Sequence, residues 1–129
     1  MLAHNRRLIE HFRTNGAPEG RPLLLLTTTG RRSGERRTSP MMYIRDGDRL
    51  LVVASNAGAD RDPMWYLNLV SDPRVHVEIG TESYEATAVP LEGDDRAEAF
   101  ARIVAGYPFF ADHQAKVRRQ IPVVELVPA

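Results

Sequence analysis

The segment Pro22 to Thr29 (PLLLLTTT) constrains the fold of this chain more than any other. It is an unbroken apolar and β-branched run, without the alternation that leaves one face in water. It therefore reads as a strand buried on both sides. Gly30 to Gly34 turns the chain, and Thr38 to Arg45 (TSPMMYIR) reads as a second strand. Pro40 within it implies a bulge or an unpaired edge position, because proline has no N–H to give to a ladder. Asp46-Gly47 is a tight-hairpin signal, after which Arg49 to Ser55 (RLLVVAS) returns antiparallel. Arg74 to Ile79 (RVHVEI) alternates, Gly80 turns the chain, Glu82 to Val89 pairs back, and Val123 to Val127 supplies a last short strand.

Helical segments interrupt these strands. His4 to Asn15 spaces Leu8, Ile9 and Phe12 as on one helix face, and Gly16 stands where a C-terminal cap belongs. Such a helix either packs on the core or makes a peripheral membrane contact, and its mixed charges favour packing. Asp62-Pro63 opens another helix, with Asp as N-cap and Pro at the first helical position, and MWYLNLV follows. Asp94 to Ala105, closed by Gly106, and Ala111 to Gln120 complete the set. Six short, mostly hairpin-connected strands with inserted helices imply an α+β domain on a small antiparallel barrel. It occupies residues 1–129 as one unit, with the helix of residues 1–16 packed on it. No β-α-β alternation points to a Rossmann fold.

Composition removes several function classes. Lys+Arg and Asp+Glu each total 17, so no long-range field draws in nucleic acid or an anionic membrane. The absence of cysteine removes disulfides, thiol catalysis and thiolate metal sites. His4, His11, His76 and His113 lack metal-ligand spacing, and His76 falls on the polar face of its strand, where it is expected to be exposed. Residues Met1 to Glu10 contain no apolar run, and no segment approaches the roughly 20 apolar residues of a membrane span. A cytoplasmic protein is expected. Ser33 and Ser55 lack a nucleophile-elbow context, and no paired carboxylates stand out. Chemistry in such a chain comes from a bound cofactor.

Three segments could carry it. Between the first two strands, Gly30 to Arg37 (GRRSGERR) packs four arginines and two glycines into eight residues. Fixed charge and a pliable backbone suit a phosphate or carboxylate, although a solvated hairpin tip reads the same way. Of the 17 basic residues only Lys116 is lysine; the forked guanidinium suits oxyanions, and the bias also follows from codon usage. Second, Ala54 to Trp65 (ASNAGADRDPMW) runs from small residues through a glycine loop into a helix. It could receive a flat ligand against Met64 and Trp65, or Met64 and Trp65 could be plain core residues. Third, Tyr107-Pro108-Phe109-Phe110 could wall a substrate pocket or plug one end of the barrel.

Leu26 to Gly34 (LTTTGRRSG), Arg37 to Pro40, Ala54-Ser55 and Pro63 to Leu69 (PMWYLNL) together resemble the deazaflavin-dependent nitroreductase family of actinobacteria. The similarity runs from about Pro22 to Val127. The resemblance implies the split β-barrel shared with FMN-binding oxidases and a coenzyme, F-420, that carries a hydroxylated deazaflavin, a ribityl phosphate and a polyglutamate tail. By the same resemblance, Arg31, Arg32, Ser33 and Arg37 match positions holding the phosphate and neighbouring anionic groups. Thr38, Ser39, Pro40, Met41 and Met42, then Val53, Ala54, Ser55 and Asn56, and Met64, Trp65, Tyr66, Leu67 and Asn68 match those lining the deazaflavin. On the acceptor side Tyr107 is retained, whereas Phe110 and His113 stand where the prodrug-activating relative has tyrosines, and Met42 replaces an aromatic residue against the ring.

The implied activity is hydride transfer from reduced F-420 to an organic electron acceptor, such as a quinone, an activated alkene or a nitro compound. Tyr107, Ser55 or solvent would supply the proton. The rivals are an FMN-dependent oxidoreductase on the same barrel and a non-enzymatic deazaflavin carrier. A nucleic-acid-binding barrel is disfavoured by the charge balance. The working form would be a monomer or homodimer, with no metal.

Overall fold

The computed structural model describes residues 3–16 and 21–129, with side chains from residue 6 onward. Met1, Leu2, the side chain of His4 and residues 17–20 lie outside that set, so the readings of the extreme N-terminus fall beyond it. In chain order the elements are α1 (Ala3–Asn15), β1 (Leu23–Thr29), β2 (Arg36–Met42), β3 (Ile44–Asp46), β4 (Arg49–Val53), α2 (Met64–Ser71), β5 (Arg74–Ile79), β6 (Glu82–Pro90), α3 (Gly93–Gly106), α4 (Phe109–Ala115) and β7 (Val123–Pro128). A single 3-10 turn, Asn56–Gly58, lies between β4 and α2.

Among the described residues there are seven strands rather than six, in the order β2-β1-β5-β6-β7-β4-β3, and all neighbours are antiparallel. The single strand expected at Thr38 to Arg45 is two. β2 occupies one edge of the sheet and β3 the opposite edge, yet only Tyr43 separates them. A one-residue link can join opposite edges only if the sheet curls until they meet, and this produces a half-barrel closed by the chain itself. At this corner the Tyr43 N–H donates to the Pro22 carbonyl at 2.9 Å, one step beyond the Leu23–Met42 pair of the β1–β2 ladder. Pro40 lies opposite Leu25 on the edge strand β2, as its missing donor requires.

The alternation of side chains across the curled sheet makes three cores. Leu24, Leu26, Leu50, Val52, Val75, Val77, Ala86, Ala88, Val124 and Leu126 point to the inner face and form the main cluster with Leu69 of α2. Leu51 and Val123 point outward, under Ala99 and Ile103 of α3 and Phe110 of α4. Leu25 also points outward and is covered by Ile9 and Phe12 of α1. The four consecutive leucines of β1 follow from this arrangement, since α1 and the barrel interior bury opposite faces of the strand. Burying one such side chain contributes roughly 1.5–3 kcal/mol.

Two helix boundaries differ from the sequence reading. α2 begins at Met64 with Pro63 as its cap residue and no side-chain cap bond. The Asp62 carboxylate is instead held by Arg119, at 2.7 Å, and a charge-assisted bond outweighs a cap. α4 covers Phe109–Ala115 rather than Ala111 to Gln120, because the Gln114 side chain turns the chain back by accepting from the Ile121 N–H (2.9 Å) and donating to the Arg119 carbonyl (2.7 Å). Among the described residues no helix is long and apolar enough to cross a membrane.

Candidate functional site

The arginine-rich turn closes on itself before it offers anything to a ligand. The Gly30 N–H donates to the Glu35 carbonyl at 2.7 Å, and the Gly34 N–H to the Gly30 carbonyl at 2.8 Å. Gly34 has φ +73°, a conformation open to glycine. A Cβ on Gly30 would sit 2.7 Å from Ser33 Oγ and 3.3 Å from the Glu35 carbonyl oxygen, so a side chain there would displace the Ser33 hydroxyl and press on the closing carbonyl. Ser33 Oγ accepts the Glu35 N–H at 3.1 Å, which fixes the hydroxyl at the tip.

Four guanidinium groups rise from this base. Arg36 donates to Thr29 Oγ1 at 2.9 Å. Arg37 has only an exposed contact of 3.4 Å with Glu35. The side chains of Arg31 and Arg32 have no ion pair or hydrogen bond among the described residues. Arg36 also lies in the field of Asp72, so the cations left uncompensated are Arg31 and Arg32, with Arg37 only weakly paired, an arrangement complementary to an anionic group.

A single buried amide joins this turn to α2. Asn68 is 3% exposed; its Oδ1 accepts the Arg31 N–H at 3.1 Å, and its Nδ2 donates to Thr28 Oγ1 at 3.2 Å. The turn and the first turn of α2 thus frame one cavity of about 220 Å³, lined by Gly30, Arg31, Arg32, Ser33, Arg37, Met64 and Asn68. Met64 is 61% exposed at its mouth, while Trp65 and Tyr66 pack against the main core. Burial, with the charges of Asp62 and Glu92, pushes the Tyr66 phenol above its ordinary pKa and keeps it protonated.

The other sequence-selected residues do not line this cavity. Thr38 to Met42 run half-buried along β2, and the Thr38 hydroxyl meets that of Thr27 at 2.8 Å. At the end of β4, Ala54 and Ser55 are buried and Val53 is half-buried, and the chain then enters left-handed backbone at Asn56, Ala57 and Gly58 (φ 49°, 53° and 80°). Ser55 is 7% exposed and Leu67 is half-buried.

The aromatic segment sits on the outer face. Phe110 is 5% exposed in the second core, with Tyr107 packed against it. Phe109 stacks on Phe110 at 4.3 Å between ring centres, and His113 meets both phenylalanines edge-on. The Nδ1 of His113 is buried without a partner among the described residues. Gly58 lies against this segment, since a Cβ there would come within 3.5 Å of His113 Cα. His76, expected in the open, is half-buried and bonded to Ser83 (2.8 Å) and Glu85 (3.3 Å).

Sequence reasoning missed Arg119. Its guanidinium, with the side chain 16% exposed, donates to the carbonyls of Ala54 (3.2 Å), Ser55 (2.9 Å) and Ala59 (3.2 Å) and to Asp62 (2.7 Å). These partners lie 57–65 positions away, so no local pattern betrays the contact.

The comparisons with known proteins agree with one another. A family model described as F420H(2)-dependent quinone reductase matches residues 4–128. A putative F420H(2)-dependent quinone reductase of Mycobacterium tuberculosis is 38% identical over 107 residues, covering 83% of this chain and 90% of the relative. A solved structure of an F420-H2 dependent reductase, FDR-A, superposes with TM-score 0.73 at 37% identity, over 82% of this chain and 94% of that one. A solved structure described as a domain-swapped dimer superposes with TM-score 0.76 at 36% identity, over 94% and 92%. Near-complete coverage by the family model and by relatives above one-third identity, on a split β-barrel, makes this chain a member of the F420H(2)-dependent quinone reductase family.

Proposed function

We propose that this chain reduces a quinone with hydride drawn from reduced coenzyme F-420 in the cavity between the Gly30–Arg37 turn and α2. The observation that carries this reading is the Asn68 amide, which brings the unpaired arginines and the Met64 end of α2 to one cavity. The residues suit the coenzyme: a turn closed by Gly30, an excess of cations for a phosphate, and a half-buried β2 beside it.

When bound, the deazaflavin supplies the hydride. The chain's own residues bind, orient and exclude water. Arg31, Arg32, Arg37 and Ser33 would hold the phosphate and its neighbours. Thr38 to Met42, Val53 to Asn56 and Met64 to Asn68 would line the ring. Half-buried Tyr107 and His113 would face the acceptor, with Phe110 packed in the core behind them and the proton coming from Tyr107, Ser55 or solvent. Phe110 carries no hydroxyl, so an acceptor with strong electron affinity of its own, such as a quinone, is favoured over a nitro compound. Residues 1–129 act as one coenzyme-binding unit in the cytoplasm, as a monomer or homodimer; the swapped-dimer relative makes size-exclusion chromatography worthwhile.

The test is a spectroscopic titration of the protein with oxidised F-420 and with FMN, followed by turnover of menadione with the reduced coenzyme. Saturable F-420 binding, FMN binding at least about tenfold weaker, and menadione-dependent oxidation of the coenzyme are expected. FMN binding as tightly as F-420 would favour an FMN enzyme. F-420 binding without turnover would leave a carrier.

A further inference from the structure

We infer that Arg119 is a positioning residue that holds the 54–62 loop in its ligand-receiving shape and couples that loop to α4. The inference rests on the coenzyme-site reading above and adds to it a residue outside the cavity lining. The loop leaves β4, passes through three successive left-handed residues and delivers the chain to α2. Asn and Gly tolerate such backbone; Ala57, at φ 53° and ψ 30°, does so at a cost. A loop of this shape persists only if its surroundings impose it.

Few contacts impose it locally. Asn56 Nδ2 donates to the Arg61 carbonyl at 3.1 Å, and the Gly58 N–H donates to the Ser55 carbonyl at 2.9 Å. The Ala59 N–H donates to the Asn56 carbonyl at 3.0 Å, and the bonds that reach across the loop come from Arg119. Its bonds fall on Ala54 and Ser55 before the left-handed segment and on Ala59 and Asp62 after it, so one guanidinium spans both ends. The planar fork is suited to this, because several carbonyls can be met at once in a fixed geometry.

Arg119 is itself held from behind. Gln114 of α4 donates to the Arg119 carbonyl (2.7 Å), and its Oε1 accepts from the Ile121 N–H (2.9 Å) and from Arg96 Nη2 (3.3 Å). Arg96, 7% exposed on α3, also donates to the Ile121 carbonyl and lies 4.3 Å from the Phe100 ring centre. A continuous polar chain thus runs from α3 through α4 to the loop. The helix bearing Phe110 and His113 and the loop bearing Ser55 and Asn56 are set by the same scaffold.

The experiment compares wild type, Arg119→Lys, and Arg119→Lys with Ala57→Gly. Amide hydrogen exchange, read without coenzyme, should show at least about tenfold faster exchange at Gly58 and Ala59 in Arg119→Lys. Leu26 and Val77 in the sheet should stay protected. The dissociation constant and the KM for the coenzyme should rise about tenfold or more, with the KM for menadione changed less than twofold. Ala57→Gly, which relieves the left-handed strain, should restore a good part of both protection and affinity. Unchanged loop exchange together with a dissociation constant within twofold of wild type would overturn the inference. So would a loss of protection spread evenly over the sheet and not rescued by Ala57→Gly. If Arg119→Lys does not fold, Asp62→Ala removes one bond and is read in the same way at smaller amplitude. A wild type that binds no F-420 would defeat the coenzyme reading, while the exchange data would still decide the clamp.

Discussion

Arginine serves opposite purposes at two places in this molecule. Where β3 and β4 meet α3, two arginines are each paired with a carboxylate: Arg102 grips both oxygens of Asp46 (2.9 and 2.8 Å), and Arg49 grips both of Asp95 (2.9 and 3.0 Å) with Glu125 at 3.4 Å. In the Gly30–Arg37 turn, Glu35 pairs only weakly with Arg37, Arg36 lies in the field of Asp72, and Arg31 and Arg32 have no partner among the described residues. The same side chain is neutralised in one region and left uncompensated in the other. Paired edge charges fix helix against strand and contribute little to stability, as exposed pairs do. Uncompensated charge around a cavity is directed at something outside the chain.

Breaking the uncompensated region should have the largest effect. Arg31→Ala and Arg32→Ala are each expected to weaken coenzyme binding by about 1.5–3 kcal/mol, roughly 10- to 150-fold, with thermal unfolding barely altered. Titration and a melting curve on each variant check this. Dissociation constants unaltered in both would return the turn to a solvated hairpin tip.

Asn68→Ala should fall between the two regions in character. It leaves the Arg31 N–H and the Thr28 hydroxyl without their partner, which costs about 1–3 kcal/mol of stability. Because the amide also joins the turn to α2, coenzyme affinity should fall with it. A fall in Tm with affinity intact would show that the cavity does not depend on this junction.

How far the sequence foretold these regions depends on how locally each is encoded. The leucine run of β1, the Asp46-Gly47 hairpin, the alternating β5 and the α3 segment are set by neighbours along the chain, and the sequence reading finds all four. The turn of unpaired arginines is visible for the same reason. The Tyr43 corner is not, because the residues on both sides of it are equally strand-forming and only the closing of the barrel splits them. The Asp62 cap fails because a cation from far along the chain takes the carboxylate. Arg119 and Gln114 leave no local trace, being one arginine among sixteen and one glutamine within an apparent helix.

The paired region should give the smallest effects. Arg102→Ala is expected to leave coenzyme affinity within twofold of wild type and to lower Tm only slightly. The Arg102 guanidinium holds the Asp46 carboxyl below the usual carboxylate range, and Arg49 does the same for Asp95. A depressed folded-state pKa means that the contribution is present above the ordinary carboxylate range and is lost as the pH falls below it. Melting curves taken as the pH falls through and below the usual carboxylate range should therefore converge for wild type and Arg102→Ala as the carboxylates protonate. A gap that widens toward acid would contradict this assignment.

The contrast between the two regions is tested most directly by a four-way binding measurement. Wild type and the Arg31→Ala, Arg32→Ala double variant are each titrated with oxidised F-420 and with the same deazaflavin lacking the phosphate and everything beyond it. If the unpaired arginines serve the phosphate, wild type should bind F-420 far more tightly than the truncated compound. The double variant should lose most of that advantage while binding the truncated compound as wild type does. Equal losses for both ligands, or no loss for either, would contradict the account.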